Sequence, residues 1–316
     1  MTCVRCQHQG AKKFGRYGKR RIQRYRCTSC RATFAEPQPQ SSLGAMRTSE
    51  EAAAQAIQCL IEGCSIRTTE RLTGLNRNTI LRLLIVIGAR CARLMDRQMR
   101  ELRCRYIQCD EIWSYVGKKA RNLRPSDPAE MGDQWIFVAL DAETKLIPSY
   151  FVGKRSMEST NRFLSDLSRR VADKVQLTTD GLHFYTKSVE DVFGMDVHFA
   201  QLIKLFGDYG QHGTERYSPS PITEVISKVR MGNPDPEHIS TSYIERSNLT
   251  MRMAMRRLTR LTNGFSKKLD NLKAALAIHF AWYNFVRVHS TLRVTPAMEA
   301  GLTDHVWTIA ELLSVA

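Results

Sequence analysis

Apolar positions along this chain recur first at helical spacing, then at every second residue, and finally at helical spacing again. Glu50 to Glu62 aligns Ala53, Ile57, Leu60 and Ile61, which predicts a helix that Gly63-Cys64-Ser65 breaks. A shorter helix over Ile66 to Thr73 runs into Gly74, and a third starts at the N-cap Asn76 with Ile80, Leu83, Leu84 and Ile87 on its buried side. Two helices joined by a tight glycine turn make a helix-turn-helix, and Arg77, Asn78, Thr79 and Arg82 then sit where such helices meet base edges.

From Arg105 the period changes to two. Strands are predicted over Tyr106 to Val116, Gln134 to Leu140 and Leu146 to Gly153, followed by a helix capped by Ser156 that aligns Met157, Leu164, Leu167 and Val171. A short strand over Val175 to Thr179 ends at Asp180-Gly181, and another helix and a strand near Asp196 to Ala200 follow. The order β-β-β-α-β-α-β predicts an α/β mixed sheet with covering helices. The stretch 201–240 is rich in Gly, Pro and Tyr and offers one hairpin, around Ile222 to Val229. Long helices are expected over Thr241 to Leu261 and Lys267 to Val288.

Charge and cysteine add a separate module at the front. Met1 to Ala35 holds ten Lys or Arg and no Asp or Glu, out of a formal net charge of +16, so +6 remains for everything after it. Within that basic segment, Cys3-x2-Cys6 and Cys27-x2-Cys30 have the spacing of a closed tetrahedral zinc site. A metal-stapled basic module of this size reads as a nucleic-acid-binding zinc ribbon. All nine cysteines lie at or before Cys109, which excludes a disulfide framework and indicates a reducing compartment. The start carries no apolar secretory stretch and no apolar run is long enough to span a bilayer, so a cytoplasmic, nucleoid-associated protein with no membrane partner is expected. The expected organisation is a ribbon over 1–36, a linker over 37–47, a helix-turn-helix domain over 48–100, a catalytic domain over 101–290 with an insertion near 201–240, and a tail over 291–316.

Three acids suit chemistry in this layout. Asp110 lies inside a strand, where Asp is disfavoured; Asp180 ends a later strand; Glu245 falls in the first turns of a helix. Brought together, three carboxylates could hold two divalent cations, Mg²⁺ or Mn²⁺ by ligand hardness, and so promote an in-line displacement at phosphorus. Glu111 faces the other side of its strand and is the weaker candidate, while Asp141 and Asp133 read as turn and loop residues. Asn248, Arg252 and Arg256 continue the helical stripe of Glu245, beside an apolar stripe of Ile244, Met251, Met255 and Leu258, and the two arginines are candidates for a phosphate backbone.

These residues resemble the DDE-type transposases of bacterial insertion sequences, most closely the insertion-sequence-one type. The resemblance rests on Ile107-Gln-Cys-Asp110-Glu-Ile-Trp113, Leu177-Thr-Thr-Asp180-Gly181, Ser242-Tyr-Ile-Glu245-Arg-Ser-Asn248-Leu-Thr-Met-Arg252, and Tyr283-Asn284-Phe-Val-Arg287-Val-His289 with Thr295-Pro296-Ala297. It implies a ribonuclease-H-like catalytic sheet with Asp110, Asp180 and Glu245 as the catalytic, metal-binding triad. It further implies binding of double-stranded DNA at the element's terminal repeats and at a target, strand cleavage, strand transfer, and a homo-oligomer. Asn284, Arg287 and His289 are motif positions without an assigned role. A domesticated DNA-binding regulator and a nuclease that cuts without joining are the rival readings.

Overall fold

The structure is a computed structural model that describes residues 1–18, 21–36, 43, 46, 48–207, 221–259 and 262–314. Most of the expected linker over 37–47, and the middle of the expected insertion, lie outside the described residues. The chain divides into two compact units, Met1–Met46 and Arg47–Ala316.

The first unit is a three-stranded antiparallel meander of β1 (Ala11–Tyr17), β2 (Ile22–Cys27) and β3 (Thr33–Ala35). Such a small sheet buries little, and most side chains of β1 are exposed. What closes it is the meeting of the two cysteine pairs, described below.

The second unit begins with α1 (Glu50–Ile61), α2 (Ile66–Thr73) and α3 (Arg77–Gln98). Asn76 caps α3 as the sequence predicts, and Ser49 and Ser65 do the same for α1 and α2: the side-chain oxygens of Ser49, Ser65 and Asn76 accept the N–H of Ala52, Thr68 and Asn78. Gly74 ends α2 with φ 69°, a left-handed cap that glycine adopts without a Cβ penalty. The helix-turn-helix geometry is present, but α3 runs on for 22 residues and its far half is core. At Gly88 a Cβ would fall 2.5 Å from both Cα and Cβ of Ala274, so α3 and α7 (Leu269–Phe285) cross at backbone contact.

The sheet comprises β4 (Tyr106–Val116), β5 (Gly132–Asp141), β6 (Tyr150–Gly153), β7 (Val175–Thr179), β8 (Val197–Phe206) and β9 (Ile222–Met231) in the order β6-β5-β4-β7-β8-β9. The pairs β4–β5, β5–β6 and β8–β9 are antiparallel, and β4–β7 and β7–β8 are parallel. The first five strands in order 3-2-1-4-5 form the ribonuclease-H-like sheet. The helices α4 (Met157–Ser168) and α5 (His183–Phe193) make the two crossovers. Every residue of β7 is buried, as a central parallel strand requires.

Four expectations need correction. The third strand starts at Tyr150 and not at Leu146, because Pro148 has no N–H and the N–H and C=O of Ile147 are taken by the side chain of Asn284 (3.0 and 2.9 Å). The helix expected to reach Leu261 is α6 (Ser242–Ala254); Met255 turns extended, and Met255 and Leu258 stay buried in an irregular turn. The last long helix is shorter at both ends than Lys267 to Val288. Ile222 to Val229 is not a hairpin of its own but part of β9, paired along a β8 that runs well past Ala200. Beyond β9 and α7, the short helices α8 (Pro296–Glu299) and α9 (Ile309–Ser314) finish the unit, with Leu312 and Leu313 buried. Among the described residues no helix is long and apolar enough to cross a membrane.

Candidate active site and metal centre

Strand register brings the first two acids together. On the parallel pair β4–β7 the last partners are Cys109 and Thr179, so the next residues, Asp110 and Asp180, leave the ladder side by side. Because β7 stops at Thr179, the edge of β4 is uncovered beyond Cys109. Asp180 turns its Oδ1 back to accept the N–H of Leu182 (3.0 Å), and Gln201 Nε2 donates to its backbone carbonyl (2.9 Å). Asp110 Oδ1 accepts the N–H of Glu111 (2.8 Å), and its Oδ2 accepts from Asn248 Nδ2 of α6 (2.8 Å).

The third member of this cluster is Glu111. One ligand oxygen from each of Asp110, Glu111 and Asp180 lies within 4.8 Å of the others. Alternation does separate Glu111 from Asp110, as the sequence implied: Asp110 meets Asn248, whereas Glu111 Oε2 meets Arg155 Nη2 at 3.6 Å. The open strand edge lets both carboxylates approach Asp180 nonetheless. Glu111, expected as the weaker candidate, thus shares the cluster. The available signal was the Asp-Glu pair in a strand of otherwise apolar or uncharged residues.

The cluster's electrostatics are those of crowded, buried acids. Burial, with the charges of Asp180 and Glu245 behind it, raises Asp110 to about 6. Burial and the charge of Asp180 raise Glu111 to about 8. Asp180 is raised as well, chiefly by burial. Glu111 Oε1 is buried near the Tyr185 hydroxyl with no well-formed hydrogen bond among the described residues. Three acids held above their usual range, one with a poorly satisfied oxygen, fit a site completed by cations.

Glu245 is near enough to raise both aspartates but is not within the 4.8 Å group. It is exposed, its Oε1 is held by Lys204 Nζ of β8, and it accepts from the Thr241 hydroxyl (2.6 Å). Its helix is anchored by a residue that motif reading passed over. Gln108 is 2 % exposed, and its Oε1 accepts the N–H groups of both Tyr243 and Ile244 (3.0 Å each). Thr241 gives α6 no side-chain cap, so a glutamine two residues before Asp110 caps it instead. Gln108 and Asp110 share one face of β4, and both grip α6.

In the first unit the Sγ atoms of Cys3 and Cys30, and of Cys6 and Cys27, are 3.6 Å apart, and all four lie within 4.8 Å. Zinc–sulfur bonds of ~2.3 Å define a tetrahedron with edges of ~3.8 Å, so the spacing fits one zinc ion. Gln7 and Arg31, each following the second cysteine of a pair, have φ of 61° and 58°, so the two knuckles repeat one turn. Backbone N–H groups of Arg5 and Cys6 draw Cys3 down to about 6, toward the thiolate a metal needs.

Of the expected DNA contacts, Arg77, Asn78 and Arg82 are exposed and Thr79 is half-buried at the start of α3. Arg252 lies on α6, but Arg256 falls beyond its end and leaves the helical stripe. Asn284, motif-matched without a role, is fully buried and satisfies the backbone of Ile147 as noted above.

Residues 103–205, which carry Asp110, Glu111 and Asp180, match the family model of the IS1 transposases. That stretch, about a third of the chain, is similar to the IS1 transposases. The IS1-type match ends before Glu245. Insertion element IS1 protein InsB of Shigella sonnei is 28 % identical over 163 residues, 52 % of this chain and 84 % of InsB. A synaptic complex of piggyBac transposase with hairpin DNA is 10 % identical with a TM-score of 0.41, covering 87 % of this chain and 71 % of that one. The paired-end complex of Mos1 transposase with the left transposon end is 14 % identical with a TM-score of 0.21, covering 50 % and 58 %.

Proposed function

We propose that this chain is an IS1-type transposase that binds the terminal repeats of its own element and catalyses metal-dependent DNA strand cleavage and strand transfer. The observation that carries the reading is the convergence of Asp110 and Asp180 at the open edge of β4, with α6 pinned beside them by Gln108 and Asn248. Asp110 and Asp180 would hold the divalent cations, with Glu245 as the third ligand once it exchanges Lys204 for metal. Glu111 is an additional donor within the same cluster. Bound Mg²⁺ or Mn²⁺ would activate the attacking oxygen and stabilise the leaving oxygen at phosphorus. The chain's own part is positioning: Asn248 and the N–H of Glu111 fix the Asp110 carboxylate, and Leu182 fixes Asp180. Cys3, Cys6, Cys27 and Cys30 would hold a structural zinc in a DNA-binding ribbon. Arg77, Asn78, Thr79, Arg82, Arg252 and Arg256 would contact the duplex, and pairing of two element ends would require a homo-oligomer.

The test uses the full chain, a labelled fragment carrying a terminal repeat, and Mg²⁺ or Mn²⁺. Nicked and joined products are expected from the wild type, and neither from Asp110→Asn, with fragment binding retained by both. Cutting without joined product would make it a nuclease. Equal function of wild type and Asp110→Asn in binding alone would make it a DNA-binding regulator.

A further inference from the structure

A second concave site lies at the other end of α6. A cavity of about 840 Å³ opens between the α1–α2 corner, the start of α3, the turn after α6 and the start of α7. Six cations line it, Arg67, Arg77, Arg256, Arg257, Lys267 and Lys268, of which Arg77 and Arg256, also proposed as duplex contacts, stand where duplex and cleft would meet; among the described residues no Asp or Glu lines it. None of the six is ion-paired with another described residue. Arg257 Nη1 donates to the Ser266 hydroxyl (2.9 Å), so this guanidinium is tethered by a neutral group.

The rest of the wall is mainly apolar, with Leu81, Leu84 and Phe265 among its residues and Ser65, Asn263 and Asn271 adding polar groups. His279 also lines the cavity; it is 5 % exposed, and its Nδ1 is buried with no hydrogen-bond partner among the described residues. Burial and Arg287 hold His279 down to about 3, so the ring is neutral and offers a donor or an acceptor, not a seventh charge. Uncompensated cations facing one concavity repel each other and concentrate anions there. The pocket is built into the fold, because at Gly63 (φ 79°) an added Cβ would sit 3.0 Å from the carbonyl oxygen of Ala254, which packs the α1 corner against the end of α6.

Clustered cations beside a mainly apolar wall suit nucleotides joined by phosphates: the backbone would meet the charges and the bases the apolar side chains. The volume is that of a small-molecule site and takes roughly one to three nucleotides of one strand, not a duplex. From Glu245 to Ala254 the helix spans nine residues, or roughly 14 Å. That equals about four phosphate steps along one strand of a duplex, and fewer along an extended one.

We propose that this cleft is a single-strand DNA subsite that holds the phosphates of a nucleotide segment a few residues from the bond cut at the Asp110–Asp180 site. Its distance from chemistry rests on the function proposed above; its binding of a DNA strand does not. The strand it takes is one already separated from its complement, so the cleft is occupied when an element end is melted or cut.

The experiment titrates the full chain in EDTA into a fluorescein-labelled, 5′-phosphorylated thymidine hexanucleotide and follows anisotropy. The variant Arg67→Ala/Lys267→Ala/Lys268→Ala removes three exposed rim cations; Arg121→Ala/Arg124→Ala/Lys187→Ala removes three exposed cations elsewhere. Binding should weaken at least tenfold in the first and less than twofold in the second, with unchanged circular dichroism in both. The slope of log K against log salt should fall by about 2 in the first, for three phosphate contacts on a single strand. Equal losses in the two triples, or none in the first, would overturn the proposal. Displacement by ATP at lower concentration than by unlabelled hexanucleotide would reassign the cleft to a free nucleoside polyphosphate and overturn the strand reading. Asp110→Asn should bind the hexanucleotide like wild type. A chain that binds through the cleft yet never cleaves would sink the active-site reading and leave this one standing.

Discussion

Replacing Glu111 with Gln should stabilise the metal-free protein while weakening its response to divalent cations. The Glu111 side chain is 1 % exposed, and burial beside Asp180 raises it from 4.5 to about 8. The native state therefore binds a proton that the unfolded chain releases, and the linkage sign follows: the cost is absent below pH ~4.5, grows as pH rises, and is complete above pH ~8. At pH 7 it amounts to about 3 kcal/mol, from ~1.4 kcal/mol for each pH unit above 4.5. The pair with Arg155, at 3.6 Å and with the arginine 40 % exposed, pulls the other way and is already contained in that value. A half-exposed pair of that length is worth about 1 kcal/mol or less. Burial wins, and Glu111→Gln should gain about 3 kcal/mol at pH 7 in EDTA, shrinking toward zero by pH 5. Urea unfolding followed by circular dichroism at pH 5, 7 and 8 reads this directly. In parallel, the midpoint shift that Mn²⁺ produces should be smaller in the variant. A variant less stable than wild type at pH 7 in EDTA would refute the reasoning, because the arginine pair would then outweigh the buried charge.

Three further outcomes test other parts of the structure. Gly88→Ala should cost about 2–3 kcal/mol by overpacking the α3–α7 crossing, and Ala274→Gly should not rescue it, since the added Cβ also meets the Ala274 Cα at 2.5 Å and its carbonyl oxygen at 2.7 Å; thermal denaturation of both variants checks this. His279, held at about 3 against 6.5 unfolded, contributes stability that is present above pH ~6.5 and lost as pH falls toward 3, so His279→Phe should flatten the acid limb of the stability curve measured in urea. Cys6→Ser should lower the metal content of the purified chain by about one zinc ion per molecule, read by elemental analysis, with the far-ultraviolet dichroism of the helices retained.

Much of the fold could be read directly, for local physical reasons. The caps Ser49, Ser65, Asn76 and Ser156 and the left-handed Gly74 act within a few residues, so they fix helix starts and turns wherever the chain goes. The alternation through β4 and the buried run of β7 are equally local. So are the two Cys-x2-Cys knuckles, each of which closes its own turn. The site was legible in part: an aspartate inside a strand and another at a strand end drew attention because each is unusual where it stands.

What the sequence alone determined, then, is the set of elements, the metal-ready cysteine cluster and two of the clustered acids. Tertiary structure decided which groups meet. The Cys109–Thr179 register sets Asp110 beside Asp180, and the early end of β7 admits Glu111 from the opposite face. Lys204 draws Glu245 aside, on a strand whose extension no local pattern marked. Gln108 caps a helix 135 residues away, and Asn284 serves a strand entry 137 residues away. Side-chain hydrogen bonds of that range carry no periodic signal, because their partners become neighbours only after the sheet and helices have packed.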